Sequence, residues 1–337
     1  MNEFLRKLVD GLSEPVAFFI DPAQRLFIPT LLSSLLIAVG AYFYYQSRGK
    51  LGPKRSFGNL LAYLFPRRIW THRSSVVDYQ IIFLNSVLYV FLMAPLLVYF
   101  AFLTDFVRTT SAALFGETST VEFTDAGLLV SYTLALILVN DFVHFFKHWL
   151  LHKVPVLWCF HKVHHSAQVL TPFTNYRNHP VDTFWFHLST VLSGGLVTGV
   201  FLYLVGNDLT LLDVVYATTA SKVFNFAGSN LRHSHIWISW GSFMEHIFIS
   251  PAQHQIHHSG APEHRDRNMG SMFAWWDWMF GCLVIAGEQR ELELGIGDEQ
   301  NRHYATFSGN VLMPFVDIWH KTLRFPQTVK SLVTAKE

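Results

Sequence analysis

Two long stretches of this chain carry no charged side chain, and they constrain its fold more than any other feature. They cover residues 26–46 and 81–103, which is 21 and 23 residues. About 20 predominantly apolar residues suffice to cross the hydrocarbon core of a bilayer as a helix. Neither stretch shows the polar face of a helix on the surface of a soluble protein. Both stretches therefore predict transmembrane helices.

Three further apolar segments follow, at residues 127–152, 188–205 and 209–226. As a helix, the first of these would extend about 39 Å, so its apolar half would lie in lipid and its histidine-bearing half would emerge at one surface. The other two would form a hairpin, although Asp213 and Lys222 weaken the second. The sequence thus predicts an all-α integral membrane protein with about four to five transmembrane helices.

The distribution of basic residues predicts the orientation of these helices. Seven Lys and Arg residues lie between the first two spans, whereas the loop at 104–126 holds Arg108 alone. Short loops rich in Lys and Arg stay in the cytoplasm. The first loop is therefore expected in the cytoplasm, and the alternation of spans places the histidine-rich segments on the same side.

Composition excludes several other classes of protein. Hydrophobic residues make up 51% of the chain and charged residues 15%, against about 25% charged in an average soluble domain. A net charge of +1 without a basic run argues against nucleic-acid binding. Cys159 and Cys282 are too few for a disulfide framework or a thiolate metal site. No GxSxG, P-loop or GxGxxG motif is present, so electrons for redox chemistry would have to come from another protein.

Histidine is in marked excess, with 18 residues, and twelve of them fall into ordered groups. The groups are His144, His148 and His152; His161, His164 and His165; His233 and His235; His254, His257 and His258; and His179 on its own. A single histidine is usually structural, but two copies of HxxHH are expected by chance on the order of once in several hundred such chains.

The HxxHH spacing suits metal binding because residues i and i+3 or i+4 share one face of a helix. The outer pair can bind one ion while the adjacent third histidine reaches a neighbouring ion. About nine imidazoles exceed the four ligands of a single zinc ion and indicate two metals. Imidazole suits zinc, copper, iron and nickel. Asp141, Asp182 and Asp277 lie close in sequence and are expected to orient ligating histidines, with ordinary capping as the alternative.

With these motifs, residues 141–281 resemble the fatty acid hydroxylase/sterol desaturase superfamily of membrane di-iron oxygenases. The matching motifs are D-x-x-H-x-x-x-H-x-x-x-H from Asp141, HKVHHS from His161, NHP at 178–180, HS at 233–234, HQIHHS from His254, and N-x-G followed by W-D-x-x-F-G ending at Gly281. The resemblance implies nine metal ligands: His148, His152, His161, His164, His165, His233, His254, His257 and His258. Some members have a tenth ligand where this chain has Trp237; His144, His179 or His235 could substitute for it or orient other ligands.

By this resemblance, the reaction would be O2-dependent hydroxylation of an acyl chain or other membrane lipid at an unactivated C–H bond. An ornithine lipid or another aminolipid is one concrete substrate. Desaturation or sterol C4-methyl oxidation is the alternative within the superfamily, and a histidine-rich metal transporter is the alternative outside it. The implied cofactor is two iron ions, with zinc possible in a purified sample. Electrons would come from a ferredoxin or a cytochrome b5 with its reductase.

The sequence is divided into three predicted regions. Residues 1–125 form a membrane region with two spans, 126–285 the catalytic region, and 286–337 a tail with an amphipathic helix. The tail helix would carry an apolar stripe of Val311, Phe315, Ile318, Trp319 and Leu323, lying on the membrane surface or packed on the protein. The expected location is a bacterial inner membrane, or the endoplasmic reticulum in a eukaryote. Lys153 and Lys162 could contact a phosphate or carboxylate head group, although generic interfacial charge is the simpler interpretation.

Overall fold

The computed structural model describes residues 3–22, 24–52, 56–116, 124–206 and 209–334. Within these residues the chain forms helices and turns, with isolated β-bridges but no strand, so the predicted all-α class is confirmed. The α-helices are α1 Glu3–Ile20, α2 Ile28–Ser47, α3 Phe57–Leu64, α4 Arg67–Trp70, α5 Arg73–Phe115, α6 Asp125–Lys153, α7 Pro155–His165, α8 Pro180–Val205, α9 Leu211–Ala220, α10 Gly241–Glu245, α11 Pro251–His257, α12 Trp275–Met279, α13 Asp298–His303 and α14 Phe307–Thr334.

Four helices are long and apolar enough to cross a membrane: Ile28–Ser47, Arg73–Leu92 within α5, Asp125–Lys153 and Pro180–Val205. The predicted fifth span at 209–226 is wrong. Its only α-helix, α9, has 10 residues, and a helix of that length rises about 15 Å, half of the bilayer core. After Ala220 the chain continues as a 3-10 segment, Val223–Ala227.

Helix α8 packs between α5 and α6 and joins them into a bundle. Small residues permit the close approach to α5, as is common where helices pack in lipid. A Cβ at position 199 would lie 2.7 Å from the Thr104 carbonyl oxygen, so only glycine fits. On the other face, the Tyr132 hydroxyl of α6 lies 2.9 Å from the Thr198 hydroxyl of α8.

Helix α2 has its principal contacts with α3 and with the segments 223–227 and 229–232, not with the helices of the bundle. Its Ser33 hydroxyl donates to the Phe226 carbonyl at 3.0 Å, and its Tyr45 hydroxyl donates to the Trp237 carbonyl at 2.8 Å. The opposite face exposes large apolar side chains such as Leu36. Helix α2 therefore runs along the segment that leads to His233.

The C-terminal helix α14 packs against α7. The Phe315 ring lies 5.4 Å from the ring of Phe160, and Asp317 forms an ion pair with the buried Lys162 of α7. Trp319 is exposed on the outer side, and the Leu323 side chain lies outside the described residues. This helix thus supports α7, the helix that carries HKVHH.

Candidate metal centre

The nine histidines that the sequence motifs single out as ligands converge in two groups. Within each group, one ring nitrogen of every histidine lies within 4.8 Å of the others. The five-histidine group consists of His148, His152, His161, His165 and His257; the four-histidine group consists of His164, His233, His254 and His258. All motifs therefore meet at the same end of the helical bundle, whichever side of the membrane that end faces.

Helical spacing distributes the two HxxHH motifs between the groups. In α7, the outer residues His161 and His165 belong to the five-histidine group, while His164 belongs to the other. At α11 the arrangement is reversed, because the middle residue His257 joins the five-histidine group. Each motif thus contributes to both groups, which holds the two groups side by side.

The four-histidine group has the spacing of a metal site. The Nε2 atom of His233 lies 3.0 Å from that of His258 and 3.1 Å from that of His254, and the last two atoms are 3.3 Å apart. Three mutually close ring nitrogens cannot all be paired by hydrogen bonds, because each carries either one proton or one lone pair. A tetrahedral ion bound at 2.0–2.1 Å places its ligand nitrogens about 3.3 Å apart, which matches this cluster.

The five-histidine group shows the same need for a cation. The Nε2 atoms of His152, His165 and His257 are buried and have no hydrogen-bond partner among the described residues, and those of His148 and His161 lie 3.0 Å apart. Buried polar atoms are normally paired, so these convergent nitrogens suit a bound cation. The residues present therefore fit two metal ions bound by neutral imidazole.

Burial favours the neutral form of these rings. Burial is the largest cause that lowers the pKa of six histidines outside the spans: His164, His165, His233, His254, His257 and His258. Neighbouring histidines lower it further in all of them except His233, where Arg25 and Arg232 do so. Because a histidine must be deprotonated to bind a metal, the cluster is prepared for metal near neutral pH.

Backbone carbonyls fix the tautomer of two ligands. His148 Nδ1 donates to the Met269 carbonyl and His257 Nδ1 donates to the Arg267 carbonyl, each at 2.7 Å. A carbonyl oxygen only accepts, so the proton must be on Nδ1 and the Nε2 lone pair is free for the metal. Sequence reasoning missed both contacts, since main-chain acceptors leave no residue-type signal.

Two carboxylates orient two further ligands. Asp182 Oδ2 accepts from His161 Nδ1 at 2.7 Å, and Asp266 Oδ1 accepts from His152 Nδ1 at 3.3 Å. The bond from His152 is the largest cause that lowers the pKa of Asp266. Asp182 was expected in this role. Asp266 was missed, and only its position eight residues after the HQIHH motif would have pointed to it.

Asp141 and Asp277 are buried but bind backbone amides instead of ligands. Asp277 accepts from the amides of Met269 and Gly270 at 2.6 and 2.8 Å, and Asp141 accepts from those of Met272 and Phe273 at 2.9 and 3.1 Å. Burial raises the pKa of Asp277 to about 6. These carboxylates shape the segment whose Met269 carbonyl holds His148, one step further from the metal than expected.

Arg177 is a structural residue that the motifs did not single out. It is fully buried, pairs with Asp78 of α5 at 3.0 Å, and donates to the Val163 carbonyl at 3.0 Å and the Ser166 hydroxyl at 2.9 Å. Its position just before the NHP motif was the available signal. Arg177 ties α5 to the helix that carries HKVHH.

The three histidines considered as substitute ligands lie outside both groups. The Nε2 atom of His144 contacts the Thr190 hydroxyl at 3.0 Å, that of His179 donates to the Val311 carbonyl at 3.1 Å, and that of His235 donates to the Tyr63 carbonyl at 2.6 Å. Among the described residues, the smaller group therefore offers four candidate ligands. The Nδ1 atoms of all four are buried without a hydrogen-bond partner among the described residues, unlike the braced ligands of the larger group.

Comparison with known proteins gives an independent result. The profile of the fatty acid hydroxylase family matches residues 133–282. The ornithine lipid hydroxylase OlsE of Rhizobium tropici is 28% identical over 160 residues, 48% of this chain and 44% of that protein. Alkylglycerol monooxygenase of Danio rerio is 25% identical over 144 residues (43% and 28%), and that of Homo sapiens 22% over 149 residues (44% and 30%). The chain thus spans less than half the length of these relatives. No solved structure matches it.

Proposed function

We propose, on the premise that residues 133–282 are a fatty acid hydroxylase domain as the histidine motifs predicted, that this protein is an O2-dependent di-iron hydroxylase. Its substrate is an acyl chain or other membrane lipid, modified at an unactivated C–H bond. The nine clustered histidines are the proposed metal ligands.

One observation carries this proposal: two adjoining groups of imidazole nitrogens lie at one end of a membrane-type helical bundle. Within the described residues, neither group contains a carboxylate or a thiolate. Sites that use two zinc ions for hydrolysis generally include carboxylates, whereas neutral imidazole also suits iron. Bound there, two iron ions would supply the activation of O2 and the abstraction of hydrogen from the C–H bond.

The residues of the chain have distinct tasks in this proposal. Asp182 and Asp266 hold the imidazoles of His161 and His152 with the proton on Nδ1, which aims each Nε2 lone pair inward. The Met269 carbonyl does the same for His148. Such partners raise the basicity of a ligand and fix its orientation. Burial of the cluster keeps bulk water away from the reacting groups.

Hydroxylation is favoured over desaturation by the relatives, whose names state hydroxylation of an ornithine lipid and monooxygenation of an alkylglycerol. Desaturation and sterol C4-methyl oxidation remain the alternatives within the superfamily. Because the sequence has no nucleotide-binding motif, we propose a ferredoxin, or a cytochrome b5 with its reductase, as the electron donor.

A histidine-rich metal transporter is the candidate from a different class. It would carry its ligands near the middle of the membrane in broken helices. Here the ligands lie at the end of α6 and in short helices and loops beyond it, which favours the oxygenase.

We also propose that the metal centre faces the cytoplasm, in a bacterial inner membrane or in the endoplasmic reticulum of a eukaryote. The support is the concentration of seven basic residues between positions 48 and 73. In an Arg67→Cys variant, labelling of the new thiol by a membrane-impermeant reagent in intact cells would contradict a cytoplasmic position of this loop. Labelling only after lysis would support it.

Lipid mass spectrometry of cells with and without the gene tests the reaction. The proposal predicts a lipid that gains one oxygen atom, and that this product disappears with His164→Ala or His257→Ala. The exposed His303 lies outside both groups, so His303→Ala is the matched control and should retain the product. A lipid that loses two hydrogens would instead establish a desaturase, and metal flux into vesicles would favour the transporter.

A further inference from the structure

Two lysines that are adjacent to ligands in the sequence already pair with carboxylates. Lys153 pairs with Asp266 at 2.6 Å, and Lys162 pairs with Asp317. Neither lysine is therefore available to pair with an anionic group on a lipid.

Three other cations near the metal centre have no carboxylate partner in the part of the chain that the structure describes. For Arg25, Lys222 and Arg232, no carboxylate oxygen within the described residues lies within ion-pair distance. Arg232 is only 2% exposed. Its guanidinium donates to the Ile249 carbonyl at 3.2 Å and lies 5.4 Å from the centre of the Phe224 ring. A buried charge without a partner is costly, so a counter-ion is expected here.

Arg25 is fixed close to the same region by neutral groups. Its guanidinium donates to Asn175 Oδ1 at 2.9 Å and to the Ser271 hydroxyl at 3.4 Å. Its carbonyl accepts from Asn230 Nδ2 at 2.8 Å, two residues before Arg232. Lys222 follows α9, in the turn that leads into the segment 223–227.

Arg25 lies close enough to Lys222 to influence its ionisation. After burial, Arg25 is the largest cause that lowers the pKa of Lys222. Tyr176 and then Asp141 raise the pKa of Arg25, and Asp21 raises that of Lys222. Asp141 already accepts hydrogen bonds from the backbone amides of residues 272 and 273.

Two helices with exposed apolar side chains adjoin Arg25 and Lys222 in the sequence. Helix α2 begins three residues after Arg25, and helix α9 ends two residues before Lys222. Both helices expose large apolar side chains, including Leu32 and Leu36 on α2 and Leu212 and Val215 on α9. Positive charge next to the ends of two apolar helices complements a molecule that has an anionic head and an apolar chain.

We propose that Arg25, Lys222 and Arg232 bind the anionic head group, a phosphate or a carboxylate, of the lipid substrate beside the four-histidine group. This inference rests on the proposed hydroxylase function and specifies its substrate class. The head group supplies the negative charge that the neutral histidines do not. The site would disfavour sterols and uncharged glycerides, which offer no charge to the three cations.

Binding without turnover tests this site. The full-length protein in an uncharged detergent, without an electron donor, is titrated with dioleoyl phosphatidate, oleate, diolein and inorganic phosphate, and binding is measured by equilibrium dialysis. We expect phosphatidate or oleate to bind at least about tenfold tighter than diolein. Arg25→Gln and Lys222→Gln should each weaken binding of the anionic lipid about tenfold, the loss expected for one charge-assisted contact, without changing diolein binding.

Controls separate binding from folding. Arg48→Gln removes an exposed cation at the other end of α2 and should leave all affinities unchanged. Because Arg232 is buried, Arg232→Lys is used in place of a neutral variant, and it should retain most of the preference for the anionic lipid. Metal content should stay at the wild-type value in the Arg25 and Lys222 variants, since neither residue belongs to the histidine groups.

Several results would overturn the inference: equal affinity for diolein and the anionic lipids, unchanged binding in both glutamine variants, or inorganic phosphate binding as tightly as phosphatidate. Failure of the hydroxylase proposal would give a different result from failure of the head-group site. Selective anionic-lipid binding with no oxidised lipid in cells would leave the head-group site standing, whereas hydroxylation of uncharged lipids alone would remove the site and leave the enzyme.

Discussion

Replacement of Asp182 by Asn gives a quantitative test of how the five-histidine group is held. The 2.7 Å bond from His161 Nδ1 to Asp182 Oδ2 joins two side chains that are 5% and 3% exposed, so solvent screens it little. The asparagine keeps the size of the side chain but removes the charge that stabilises the Nδ1 proton. Loss of such a carboxylate partner typically lowers metal affinity 10- to 100-fold, which is about 1.4 to 2.8 kcal/mol.

The structure also predicts a smaller effect at the equivalent position on His152. The bond from its Nδ1 to Asp266 is 3.3 Å long, and Asp266 is 30% exposed, so water can replace the carboxylate in part. We therefore expect Asp266→Asn to lower metal affinity by about tenfold or less. Asp105→Asn, which alters an exposed carboxylate on α5, is the control and should have no effect.

The assay is retention of metal by the purified protein against increasing concentrations of a chelator. In Asp182→Asn, one of the two bound ions should be lost at a 10- to 100-fold lower chelator concentration, and the ion in the four-histidine group should be retained as in the wild type. A retention curve that superimposes on the wild-type curve would refute the orienting role of Asp182. Equal weakening of both ions would refute the assignment of His161 to one group.

Three further predictions concern stability. As pH falls below about 6.5, histidines in the unfolded chain gain protons, while the six buried ones with lowered pKa values resist protonation in the folded protein. The melting temperature of the metal-free protein should therefore fall from pH 7 to pH 5. A melting temperature that does not change with pH would contradict the burial of neutral rings. Arg177→Met leaves Asp78 buried without its arginine partner and should lower the free energy of unfolding by about 3–5 kcal/mol. The control Arg108→Gln, in an exposed pair, should change it by about 1 kcal/mol or less. Equal effects of the two variants in chemical unfolding would exclude the proposed role of Arg177. Gly199→Ala places a Cβ 2.7 Å from the Thr104 carbonyl oxygen and should lower the melting temperature. Gly40→Ala, with no atom within 4 Å of the added Cβ, is the control and should not. An unchanged melting temperature of Gly199→Ala would argue against the close packing of α8 on α5.

Much of the metal centre follows from spacing alone. In HKVHH and HQIHH the outer histidines share one face of a helix and the middle one projects beside them, and the structure distributes His161 and His165 to one group and His164 to the other. Their use as ligands remains a prediction, to be tested by the metal measurements above.

Other features depend on tertiary contacts that no local pattern encodes. The Met269 and Arg267 carbonyls orient ligands because the loop after α11 folds back on the cluster, and any residue type could supply a carbonyl. Asp266 likewise contacts His152 across 114 positions of the chain. The apolar segment at 209–226 was predicted as a span from composition, but its helix ends at Ala220.

Metal stoichiometry tests the central claim most directly. The purified protein, loaded with iron under anaerobic conditions, should contain two iron ions per chain by elemental analysis. His148→Ala, in the five-histidine group, and His254→Ala, in the four-histidine group, should each reduce the content to about one ion. A wild-type protein that binds no metal or a single ion, or alanine variants that both retain two, would contradict a dinuclear centre built from these nine histidines.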